Sequence, residues 1–202
     1  MSLSKNINEA FKIVTKTYEN TYKLLDFLRI KSREEDSDFE LKSPRILHDK
    51  SINEDKGWWI SQFILVFQNK ADELLPNNWR DGPVYVVEIN LFEYNYDYPT
   101  VTVIKYEYKD NEIKNWIAGC KNDSENYNGF RNPWYDVENI DYDEGDSEGV
   151  IIGIPNNKNE DYTETDYWGL LRVVGIEIPL AEITRDNACD KIFGSFCKLM
   201  NK

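Results

Sequence analysis

The chain has 202 residues, 37 of them acidic and 24 basic, with a net charge of −13. Hydrophobic residues make up 41% of it, including 13 Tyr, 9 Phe and 6 Trp, which excludes a disordered acidic tail, because such tails lack aromatics to bury. The charge also argues against direct contact with nucleic acid or an anionic membrane, which a strongly negative surface repels.

The length suits one domain spanning 1–202, with an acidic, partly irregular insertion over 119–166. Cys120, Cys189 and Cys197 form neither a metal-ligand spacing nor an even disulfide set. The first 22 residues mix Lys, Asn and Glu and carry no apolar signal core. The apolar run Phe63–Phe67 is far too short to cross a bilayer. These features predict a soluble, cytoplasmic protein with reduced thiols.

Residues 6–30 read as an amphipathic helix with Asn6 and Glu9 as a capping pair. Ile7, Phe11, Val14, Tyr18, Thr21, Leu25 and Leu28 fall on one stripe. Such a stripe either lies across a sheet or pairs with its own copy in a homo-oligomer. The acidic segment Glu34–Glu40 should follow as a loop. From Pro44 the period becomes two, and Trp58–Gln68 reads as a well-buried strand with Phe63, Leu65 and Phe67 on one face.

Val84–Tyr94, Val101–Lys109 and Glu112–Ile117 read as an antiparallel meander, turning at Asn95–Pro99 and Asp110–Asn111. Gly119–Gly149 has no clear period and reads as irregular. Val150–Ile154 is a short strand, Pro155–Asp166 a polar loop, and Trp168–Ile178 a strand apolar on both faces, ended by Pro179. A final helix, capped by Asp186 or Asn187, should bury Ala188, Ile192, Phe196 and Leu199. Helix, antiparallel strands and helix in that order predict an α+β fold: a mostly antiparallel sheet with both helices packed on one face.

The acids are not spread evenly. Between residues 136 and 166, eleven carboxylates face one cation, Lys158, so most of the net charge sits there. They are Asp136, Glu138, Asp141, Asp143, Glu144, Asp146, Glu148, Glu160, Asp161, Glu164 and Asp166. A dense anionic patch steers basic proteins or cations towards it. An EF-hand loop needs Gly at its sixth position and Glu at its twelfth. Counting from Asp141 puts Asp146 and Ile152 there, so that motif is absent. No cofactor is implied.

If Tyr96 and Asp97 form the turn of the first hairpin, Glu88 falls opposite Lys105 and shares a face with Glu107 and Lys109. Two acids beside a lysine in an E-x-K run resemble metal-dependent nucleases of the PD-(D/E)xK type. That resemblance implies a hydrolase in which Glu88 and Glu107 hold Mg²⁺ and Lys109 orients water. A solvent face of cross-strand ion pairs is the plainer alternative. His48, the single histidine, lies in Leu47-His48-Asp49 without a nucleophile signature and reads as a surface strand histidine. Gly145, Gly149 and Gly153 sit in an acidic segment that would repel phosphate.

Trp58, Trp59, Trp116, Trp134 and Trp168, with Tyr85, Tyr94, Tyr96, Tyr98, Tyr106 and Tyr108, form either cross-strand packing or exposed anchors for a partner. With the acidic patch they favour a non-enzymatic interaction or inhibitor protein that binds a basic partner, a nuclease or nucleic-acid-binding protein, through Asp136, Glu138, Asp141, Asp143, Glu144, Asp146, Glu148, Glu160 and Asp161. In composition the chain is similar to immunity proteins of toxin systems and to phage-encoded anti-defence inhibitors such as anti-CRISPR proteins. The resemblance implies a surface that occupies a partner's nucleic-acid groove by copying phosphate charge, or that plugs a toxin's basic active site. The alternatives are the hydrolase on the Glu88, Glu107 and Lys109 face and a homo-oligomer built through helix 6–30.

Overall fold

The structure, a computed structural model, describes residues 3–43, 46–50, 60–92, 97–110, 112–116, 134, 136–144, 149–156 and 169–202. Helix α1 spans Leu3–Lys31, so the expected capping pair lies inside it. No Pro or Gly breaks this stretch, and Glu9 binds Lys12 at 3.0 Å instead of turning back to Asn6. Only the C-terminal half of α1 packs on the body. Thr21, Leu25 and Leu28 are buried, and the Tyr18 hydroxyl donates to the Ile60 carbonyl at 2.8 Å. Towards the N-terminus the same stripe overhangs, with Ile7 48% and Phe11 66% exposed.

Eight strands follow: β1 Phe39–Leu41, β2 Leu47–Lys50, β3 Ile60–Asn69, β4 Val84–Asn90, β5 Thr100–Tyr108, β6 Ile140–Glu144, β7 Val150–Pro155 and β8 Leu170–Pro179. Every ladder between them is antiparallel. The sheet order is β1-β3-β4-β5-β8-β7-β6, and β2 also pairs with β3. Two three-stranded meanders, β3–β5 and β6–β8, therefore join through β5 and β8. The acidic 34–40 segment ends as a loop at residue 38, because Phe39 is drawn into the core and starts β1. Its neighbour Glu40 is held by Lys42 and by Arg80 Nε, the latter at 2.7 Å.

Two other expectations are corrected. Residues 112–116 do not form the third meander strand expected over Glu112–Ile117, whose last residue lies outside the described ones. Ile113–Asn115 forms a 3₁₀ turn, which puts Ile113 and Trp116 on one side, and both are buried. The edge of β5 that this segment would have paired is taken by β8. The 119–149 stretch is not irregular throughout, since Ile140–Glu144 is the outermost strand of the sheet.

Both faces of the sheet are covered, which is why β4 is buried along its whole length. On one face, α1 and helix α2 (Ala188–Met200) pack over Phe63, Leu65, Phe67, Tyr85, Val87 and Val103. Helix α2 contributes Ala188, Ile192, Phe196 and Leu199, the expected stripe. Asn187 stands at its N-cap position, but its side-chain oxygen accepts from the Thr184 N–H at 2.8 Å and makes no bond into the helix. The other face is covered by turns, through Trp79, Trp116 and Trp134 packed on Val66, Val86, Ile104 and Tyr106. Among the described residues, no helix is long and apolar enough to cross a membrane.

Candidate functional site

The acidic outer strand is seated by two aromatic rings lying on two glycines. Trp134 covers Gly175 of β8 so closely that a Cβ there would stand 2.2 Å from the ring. Tyr142 covers Gly153 of β7 in the same way, at 2.7 Å. The two rings meet edge to face, 5.6 Å between centroids. The Trp134 indole N–H donates to Glu177 Oε1 at 3.2 Å.

Amides tie down the rest of the segment. Asp136 Oδ1 accepts from the Asn139 N–H at 3.2 Å and from its side chain at 3.1 Å, closing the turn before β6. Asn156 donates to the Glu138 carbonyl at 3.0 Å and to Asp141 Oδ1 at 3.2 Å. Burial first, then the charges of Asp136 and Glu88, raise the Tyr142 phenol above its ordinary value, so it stays a neutral packing group.

Of the expected partner-binding residues, Asp136 is half-buried and used within the turn, whereas Glu138, Asp141, Asp143 and Glu144 are exposed. Strand alternation sends Asp141 and Asp143 to the helix-bearing face and Tyr142 and Glu144 to the other. Glu138, Asp143 and Glu144 form no ion pair with any lysine or arginine among the described residues. Ile154, 56% exposed, lies directly across from Asp141. No described strand pairs the outer edge of β6. Asp146, Glu148, Glu160 and Asp161, with Glu164 and Asp166, lie outside the described residues, as do Cys120, Trp58, Trp59, Trp168, Tyr94 and Tyr96.

The proposed hydrolase face does not assemble. The β4–β5 register pairs Glu88 with Thr102 and Tyr85 with Lys105. This register differs from the expected one by three residues, an odd number, so Glu88 moves to the opposite face from Lys105 and Glu107. Asn90 ends β4 by accepting the Phe92 N–H at 3.1 Å, and a longer connection than a two-residue turn results. Lys105 and Glu107 pair at 2.6 Å on the helix-bearing face. Glu88 is buried on the other, where Gln62 Nε2 donates to it at 2.8 Å. Lys109 follows the last residue of β5 and is exposed. No group of three His, Cys, Asp or Glu side chains among the described residues is placed to hold a metal ion.

Most described aromatics serve packing. Tyr85, Tyr106, Trp116 and Trp134 are buried, and Trp79 and Tyr108 both meet Trp116 edge to face. Tyr98, near the β4–β5 connection, is exposed. The backbone of His48 lies in β2. The strand character of 140–144 was legible in its alternation of Ile140 and Tyr142 with acids, a signal hidden by the charge around it. In comparisons with known proteins, no family model, no curated protein and no solved structure matches this chain.

Proposed function

We propose that this chain is a non-enzymatic interaction protein whose acidic outer strand docks a basic protein, a nuclease or a nucleic-acid-binding protein, in the manner of an immunity or anti-defence inhibitor. The observation that carries the reading is the set Glu138, Asp141, Asp143 and Glu144, exposed within seven residues on the edge of the sheet. Strand β6 sets the spacing of Asp141, Asp143 and Glu144, with Glu138 in the turn before it, Ile154 adds an apolar contact beside them, and an edge that no described strand pairs offers backbone groups to an extended segment. The direct test is affinity capture from host lysate with the wild type and with a variant carrying Glu138→Gln, Asp141→Asn, Asp143→Asn and Glu144→Gln. A basic protein held by the wild type, released by salt and lost from the equally stable variant supports the reading. Equal recovery on both, or no protein on either, sinks it.

A second reading has its own observation. The overhanging part of α1 exposes Ile7, Phe11 and Ile13, the last also 66% exposed, on a helix whose other half is packed. That favours self-association through α1. Sedimentation would then show a concentration-dependent mass that Phe11→Glu abolishes.

A further inference from the structure

On the helix-bearing face a cavity of about 890 Å³ opens between α1, Tyr98–Pro99, and the turn from Pro179 to the start of α2. Its volume falls in the range of small-molecule sites, roughly 300–1,000 Å³. Leu24, Phe27, Leu180 and Ile183 give it an apolar wall, each of them only partly buried by the core behind.

The charges around it run against the rest of the molecule. Of the fifteen described residues lining the cavity none is acidic, although the whole chain has 37 carboxylates. The two charged residues are Lys23 and Arg185, and neither has an ion-pair partner among the described residues. Of the carboxylates near them in sequence, Glu19 pairs with Lys16, Asp26 with Arg29 and Glu182 with Lys191, and Asp186, next to Arg185, does not line the cavity. Thr21, 2% exposed, also lines the cavity, and its hydroxyl has no hydrogen-bond partner among the described residues. A buried hydroxyl without a partner is uncommon. The first residue of α2, Ala188, completes the wall and brings the positive end of that helix to the same place.

We propose that this cavity binds a small amphipathic carboxylate, with its apolar body against Leu24, Phe27, Leu180 and Ile183 and its anionic head between Lys23 and Arg185. The site lies on α1 and the approach to α2, and none of its lining residues belongs to β6, so it stands or falls independently of the acidic strand.

Decanoate, kept below its micellar concentration, is the probe, and isothermal titration calorimetry on the full chain is the measurement. The expected result is saturable one-to-one binding. It should weaken at least tenfold in a Lys23→Glu, Arg185→Glu variant, and decyltrimethylammonium should not compete. Both substituted side chains are exposed, so the fold should survive. Ala181→Trp, an exposed position on the cavity wall, provides a second variant that should weaken binding by filling space without changing charge. No saturable binding of decanoate to the wild type overturns the proposal. So does equal affinity in the charge-reversed variant, or equal binding of the cationic amphiphile.

Discussion

Gly175 lacks a side chain where the six-membered ring of Trp134 occupies the space a Cβ would need, 2.2 Å away. Gly175→Ala must therefore expel the indole or shift β8, and such overpacking costs about 1–3 kcal/mol. Urea unfolding should show a loss in that range, together with a changed tryptophan emission spectrum. Gly194, inside α2, meets nothing within 4 Å. Gly194→Ala should leave the spectrum alone and add up to about 1 kcal/mol through helix propensity. Equal effects at the two glycines would disprove the seating of Trp134. Glu40 illustrates the opposite kind of constraint. Burial acts to raise its carboxyl, but Arg80 and Lys42 overcome this and hold it below the ordinary glutamate value. Its stabilisation is thus present above the unfolded value, about 4.3, and is lost as pH falls through the lower folded value. Glu40→Gln should cost about 1 kcal/mol at neutral pH, a figure kept small by solvent screening. The gap between variant and wild type should close in acid, and a gap independent of pH would show that Glu40 acts through packing alone.

At the scale of elements, register decides which side chains can cooperate. Gln62 and Glu88 touch on one face, and Lys105 and Glu107 touch on the other. Double-mutant cycles should give a coupling of about 0.5 kcal/mol or more for each of these pairs. The cycle for Glu88 with Lys105 should return nearly zero, and a large value there would restore the discarded hairpin register. The existence of β3, β4, β5, β7, β8 and both helices was legible because each carries its own hydrophobic period, as Phe63, Leu65 and Phe67 do in β3. The β4–β5 register was not, since it depends on where Asn90 ends its strand, and Tyr96-Asp97 offered an equally plausible turn. Ile113 and Trp116 misled differently: a short apolar segment reads alike as a strand or as a single 3₁₀ turn, and tertiary contact with Trp79 and Tyr108 settles it. The overhang of α1 was hidden too, because a stripe shows which residues face one way and not how far the body beneath extends.

Among the described residues, charge is uneven between elements: α1 is net basic and β6 net acidic. Helix α1 carries six basic residues and three acidic ones, and it packs through Tyr18 and Tyr22 on Phe63 of β3. In the sheet order β6 lies at the far edge from β3, on the order of 24 Å away at about 4.8 Å per strand. The acidic part of the candidate site was legible as a charge run, while the glycine seats that hold it in place were not, because Trp134, Gly153 and Gly175 are far apart in sequence. A partner approaching this uneven field is oriented before contact, and that orientation appears in the association rate more than in the dissociation rate. The expected outcome is that association of the captured basic partner slows steeply as salt rises, while dissociation changes little. With Glu138, Asp141, Asp143 and Glu144 neutralised, the low-salt association rate should fall about tenfold and its salt dependence should flatten. Stopped-flow mixing across a salt series gives both slopes. If wild type and variant share the same slope, the steering charge lies elsewhere on the molecule and β6 is an edge strand kept acidic only to discourage aggregation.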